Sequence, residues 1–121
     1  MTLVDSSVWI DHVRPRGHLP RLAELIRTDQ LLIHPAVLGE VALGNLGPRR
    51  AVVLQALGRM SQAPVVDEDA ALAFVELQSL AGSGIGWVDV HLLASARLAH
   101  AKLWTLDKRL ARVAARLGVA A

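Results

Sequence analysis

The 121-residue sequence contains no cysteine. A disulfide framework and a thiolate metal site are both excluded, and redox chemistry does not point to a compartment. Long apolar runs are missing as well: no uninterrupted stretch reaches the roughly 18 residues that a membrane span needs. Asp5 interrupts the N-terminus before an apolar core of a signal peptide could form, so none is expected and the cytoplasm is the expected location. No linker, repeat or low-complexity segment divides the chain, which reads as one domain over residues 1–121. The histidines, His12, His18, His34, His91 and His100, lack the HExxH type of spacing that would bind zinc.

What is present is largely apolar. Hydrophobic residues make up 53% of the chain against 20% charged, and the mean hydropathy is +0.39. Without a membrane span, this excess points to a parallel sheet covered on both faces and to a subunit or partner interface. The net charge is only +2. The pI of about 9.9 reflects groups of basic residues: Arg14, Arg16, Arg21 and Arg27; Arg49 and Arg50; then Lys102, Lys108, Arg109, Arg112 and Arg116. Such groups suit phosphate-bearing partners, although solvated helix faces explain them equally well.

Short apolar runs alternate with helical patterns. Leu3-Val4 is expected as a strand, and SSVWIDHV as a helix with Ser6 or Ser7 as its cap. Pro15-Arg16-Gly17 breaks the chain before an apolar stripe over Leu19–Ile26. Leu31–Ile33 is a second strand, and Pro35 opens a helix containing AVLGEVALG. Another helix starts at Pro48 and runs to Met60. Pro64–Val66 is a third strand, after which Asp67 opens a helix to Leu80. GSGIG leads into the helix WVDVHLLASARLAHA. Leu103–Leu106 is a fourth strand, and DKRLARVAARLG a last helix stopped by Gly118. The expected fold is an α/β/α sandwich around a parallel sheet of four to five short strands with right-handed crossovers.

In such sheets ligands bind beyond the carboxyl ends of the strands. Asp5 and Asp107 each follow a strand at once, Glu40 lies in the helix after the second strand, and Asp89 starts a helix after the glycine-rich loop. All four can meet at one rim. Clustered carboxylates repel one another unless a cation joins them, and all-oxygen ligands favour Mg²⁺ or Mn²⁺ over zinc. Metal-assisted phosphodiester hydrolysis is the chemistry such a site supports. Yet aspartate is also a preferred helix N-cap, and Asp5, Asp89 and Asp107 stand where caps belong, as does Asp67. Glu40 escapes that explanation, because Val37, Leu38, Val41 and Leu43 surround it with apolar residues.

Four pieces of sequence, VDSSVWID, PAVLGEVALG, VDVHLLASARLAH and LWTLDKRLARVA, together resemble the PIN-domain ribonucleases, specifically the VapC toxins of type II toxin–antitoxin modules. They occur in the family's order and cover essentially the whole chain. Carried over by position, the resemblance implies an acidic quartet of Asp5, Glu40, Asp89 and Asp107. It also implies site-ordering hydroxyls at Ser7 and Thr105, and a place for Asp67 away from the quartet. Asp5, Asp89 and Asp107 would hold Mg²⁺ (or Mn²⁺), and Glu40 would orient or deprotonate the attacking water. RNA would be cut in line to a 3′-hydroxyl and a 5′-phosphate. A homodimer, silenced by a cognate antitoxin, is the implied assembly. The family's further acidic or polar residue after the fourth aspartate is replaced here by Lys108, Arg109 and Leu110, which leaves a second metal dependent on Asp107 alone.

The remaining features have two-sided explanations. GSGIGW has GxGxG spacing and follows a helix, so it reads as a hinge presenting Asp89 rather than a dinucleotide loop. Trp87 can stack on a base or pack at an interface, while Trp9 and Trp104 are expected in the core. Asp11 is set to pair with Arg14 at helical spacing. Phosphate contacts are expected from the Arg14–Arg21 group, Lys108 and Arg109. A catalytically silent RNA- or protein-binding module is the main alternative. A receiver-type phosphoacceptor is a weaker one, since Lys108 is poorly placed for that chemistry.

Overall fold

The computed structural model describes all residues, Met1–Ala121. Three parallel strands, β1 (Thr2–Val4), β2 (Leu31–Leu32) and β3 (Lys102–Trp104), form a sheet in the order β2-β1-β3. Thr2 and Leu3 pair with Leu31 and Leu32 on one side and with Lys102 and Leu103 on the other. Seven helices surround it: α1 (Ser6–Val13), α2 (Pro20–Arg27), α3 (Pro35–Leu43), α4 (Arg50–Gly58), α5 (Glu68–Leu77), α6 (Trp87–Leu98) and α7 (Lys108–Arg116). A 3₁₀ turn over Gly47–Arg49 precedes α4. No helix is long and apolar enough to cross a membrane.

β1 is buried on both faces, with Leu3 and Val4 fully inaccessible, which is why the strand reads as a continuous apolar run. α6 lies against β1, β3 and α5 and buries Val90, Leu92, Leu93, Ala94, Ser95 and Ala96. α7 is amphipathic instead. Leu110, Val113 and Ala114 face inward, while Lys108, Arg109, Arg112 and Arg116 face solvent. Gly118, with φ of 75°, ends α7 in the left-handed conformation that glycine adopts without strain.

The strands differ from the sequence reading in number and in where they end. The sheet has three strands rather than four to five. Pro64–Val66 is not a strand: Ile33 donates to the Ser61 carbonyl and accepts from the Ala63 amide, giving one parallel bridge to Gln62. Pro64 then has no amide to continue the ladder, and its carbonyl accepts from the buried Ser95 hydroxyl. A matching single bridge joins Leu103 to Ala120 at the other edge. β3 stops at Trp104 because the next amides turn to side chains, Leu106 N to Ser7 Oγ (3.0 Å) and Asp107 N to Thr105 Oγ1 (3.0 Å). Asp5, not Ser6 or Ser7, caps α1. Trp9 is core at 3% exposure, whereas Trp104 is only partly buried, with the Arg21 guanidinium 4.6 Å above its ring.

Candidate active site

From the central β1 the chain crosses first to β2 on one side and later to β3 on the other. The carboxyl end of β1 is therefore the point where the connections diverge, and a crevice opens there. Asp5 is the first residue beyond that end. Only 6% exposed, it is held from several directions. Its Oδ1 accepts from the Ser6 amide at 2.8 Å; its Oδ2 accepts from Ser7 Oγ at 2.8 Å and from Thr105 Oγ1 at 2.7 Å. Ser7 Oγ in turn accepts from the Leu106 amide, and Thr105 Oγ1 from the Asp107 amide. Two chains of amide, hydroxyl and carboxylate thus tie the turn after β3 to Asp5, each bond polarising the next. The turn that positions Asp107 cannot shift without disturbing Asp5.

The other three acids come from three helices. Glu40, in the middle of α3, accepts at Oε1 from Ser6 Oγ at 3.1 Å. Asp89, in the first turn of α6, accepts at Oδ2 from the Gly86 amide at 2.9 Å. Asp107 caps α7, accepting at Oδ1 from the Leu110 amide at 2.9 Å. Burial, first of all, pushes the Glu40 carboxyl above its ordinary pKa; the charges of Asp5 and Asp89 push the same way, against the Ser6 hydrogen bond. Asp89 is raised too, again chiefly by burial, with Asp5 and Asp107 adding to it and the Gly86 amide opposing. These mutual repulsions link all four carboxylates into one group. No arginine or lysine neutralises any of them, since the ion pairs present are Asp11–Arg14, Glu24–Arg27 and Glu68–His91.

Four mutually repelling acids without a basic partner fit a divalent cation in donor chemistry. No three acidic or histidine groups stand close enough to enclose a bare ion. The local hydrogen bonds explain that spread: Glu40, Asp89 and Asp107 each have one oxygen engaged and the other without a protein partner. Such a spread suits a hydrated divalent cation held by one or two carboxylates rather than a bare ion enclosed by protein.

The residues expected to order the site, Ser7 and Thr105, lie in it. Ser6 was missed as a site residue: its hydroxyl joins Glu40 to Asp5 (3.5 Å to Oδ1). A second hydroxyl directly after the first aspartate was the available signal. Of the basic residues expected near RNA, Arg14 is paired with Asp11 at 3.0 Å. Lys108 and Arg109 are exposed in the first turn of α7, and Arg109 lies along Gly84 toward a groove shared with Arg112 and Arg116. Asp67 caps α5 through the Ala70 amide at 2.8 Å.

The PIN domain family's profile matches residues 2–116. The chain belongs to the PIN domain family. Ribonuclease VapC32 of Mycobacterium tuberculosis, in the CDC 1551 / Oshkosh and H37Rv strains alike, is 46% identical over 121 residues, covering 99% of this chain and 95% of the relative. The resemblance to VapC-type PIN proteins therefore runs end to end. PAE2754 from Pyrobaculum aerophilum superposes with a TM-score of 0.68 over 93% of this chain and 83% of that one; at 15% identity this likeness shows the fold alone. The α/β sandwich expected from alternating strands and helices is thus the PIN fold.

Proposed function

We propose that the chain is a PIN-domain endoribonuclease, the toxin of a type II toxin–antitoxin module, working in the cytoplasm as a single domain over residues 1–121. The observation that supports this reading most is the set of four carboxylates gathered at the divergence point of the sheet without a basic partner. The near full-length identity to a ribonuclease adds to it. Asp5, Asp89 and Asp107 would hold Mg²⁺ or Mn²⁺, with Glu40 beside them. Bound there, the cation supplies Lewis acidity toward water and the phosphoryl oxygens. Glu40 accepts the proton of the attacking water, a role suited to a carboxyl whose pKa is raised by burial. Ser7 and Thr105 keep the Asp5 carboxylate in one orientation. Lys108 and Arg109 meet phosphates along the RNA strand, with Arg14 freed for the same task when its exposed pair with Asp11 opens. A homodimer and a cognate antitoxin belong to the same reading.

The direct test is RNA cleavage by the purified chain. Cutting is expected with added Mg²⁺ or Mn²⁺, and none with EDTA. RNA binding at parent affinity with no cleavage under any divalent ion would favour the silent binding module instead.

A further inference from the structure

Besides the acidic quartet, α3 and α6 share a second feature at the same end of the sheet. A cleft of about 370 Å³ opens between their first turns and the segment leading into α5. Val65 and Val66 form its apolar wall, and His34, Glu68, Trp87 and His91 supply the rest of its character. Trp87 is 40% exposed, an unusual state for a large indole, and its ring stands edge-on to that of His91 with centroids 5.0 Å apart. His91 in turn reaches the Glu68 carboxylate at 3.5 Å.

His34 is the unexpected member. It is 4% exposed, and its Nδ1 accepts from the Ala36 amide at 3.0 Å. A neutral imidazole with Nδ1 as acceptor carries its hydrogen on Nε2. That Nε2 donor is buried and has no acceptor, a costly arrangement that native structures avoid unless a ligand or water answers it. Burial, then the nearby His91, lowers the His34 pKa, in the direction of the neutral ring.

The lining contains no lysine or arginine, so the cleft is not built for a phosphate. It offers a flat aromatic plate, an apolar wall, one buried donor and one carboxylate acceptor near the mouth. That combination matches a nucleobase, which has two π-faces and ring acceptors beside an exocyclic amine. We propose that this cleft receives one unstacked base of the bound RNA, outside the scissile step, stacked on Trp87 and selected by the His34 donor and the Glu68 acceptor. The inference rests on the ribonuclease reading. Trp87 and the quartet's Asp89 both lie in the first turn of α6 but two residues apart, on different faces. The cleft and the quartet therefore flank the N-terminal end of that helix, and one RNA strand passing over it would serve both. His34 caps the helix that carries Glu40.

The experiment measures oligoribonucleotide binding by the full chain in EDTA, where cutting is suppressed, together with cleavage of a randomised RNA pool in Mg²⁺. Trp87→Ala is expected to weaken binding roughly 10- to 100-fold, while Trp87→Phe keeps most of the affinity. The parent should prefer one class of base at a single position a fixed distance from the cut, and Trp87→Ala should lose that preference. Unchanged affinity and unchanged preference in Trp87→Ala would overturn the proposal. So would a fall in affinity that tracks a change of oligomeric state in analytical ultracentrifugation, since Trp87 would then be packing against a second copy. A parent that cuts RNA while Trp87→Ala behaves like it sinks the cleft alone; a parent that neither binds nor cuts sinks the ribonuclease reading and the cleft with it.

Discussion

Asp107 and Asp67 do the same local job in different neighbourhoods. Each stands just before a helix and accepts from the backbone amide three residues on, Leu110 at 2.9 Å and Ala70 at 2.8 Å. Their surroundings diverge completely. Asp107 follows β3, a direct partner of the central strand, and its own amide is bonded to the Thr105 hydroxyl that also grips Asp5. Asp67 follows a segment that touches the sheet only through the Ile33–Gln62 bridge, outside β2. One aspartate adds to the field felt by Asp89, while the other belongs to no such group. Capping and site chemistry are therefore not competing explanations for Asp107: one oxygen caps and the other has no protein partner. Sheet order, not local sequence, separates the two residues.

The largest expected effect breaks the site at its centre. Asp5→Asn should lower RNA cleavage by more than the roughly 10–100-fold typical of residues that only support metal ligands. Circular dichroism should stay that of the parent. A variant cutting at the parent rate would remove Asp5 from the machinery.

Next comes the support around it. Ser7→Ala and Thr105→Val each delete one of the two hydroxyls donating to Asp5 Oδ2. Each should cost about 10–100-fold in cleavage rate or in metal affinity, and raising Mg²⁺ should recover part of the loss. Glu40→Gln and Asp89→Asn sharpen the electrostatic side. Both carboxyls have pKa values raised in the folded state, so folding favours their protonated form. Their contribution is full below the ordinary values of 4.5 and 3.8 and is lost as pH rises through the raised folded values. In EDTA the parent should therefore lose melting temperature as pH rises from that range toward neutrality. The double variant should show a shallower loss, and Mg²⁺ should raise the melting temperature of the parent more than that of the variant.

The smallest effect is the control for the opening comparison. Asp67→Ala and Asp107→Ala should each cost about 1 kcal/mol of stability as lost caps. Only Asp107→Ala should reduce cleavage. Equal activity losses in the two variants would erase the distinction drawn between them.

Much of this was legible in the primary structure, for identifiable reasons. Apolar runs such as Leu3-Val4 and Leu31-Leu32 mark strands because parallel sheets are covered on both faces. Proline and aspartate mark helix starts because their backbone preferences are local, as at Pro35 and Asp107. Strand ends were harder. Pro64–Val66 has the composition of a strand, but its pairing depends on which amides Ile33 finds across space. The hydroxyl relay at Asp5 was partly visible through Ser7 and Thr105, whereas Ser6 bridging to Glu40 depends on how α1 and α3 pack. The His34 donor was invisible for the same kind of reason, since burial of a histidine is a tertiary outcome.

The single bridges at Gln62 and Ala120 have a consequence for assembly. On the outer side of β3, Leu103 gives its amide to Val119 and its carbonyl to Ala121, and Ile33 beyond β2 is occupied likewise by Ser61 and Ala63. Each margin of the little sheet is thereby covered at one rung by the chain's own backbone. A strand adding to the sheet at those rungs would have to displace a piece of the chain itself, whereas docking side-on against the helices would not.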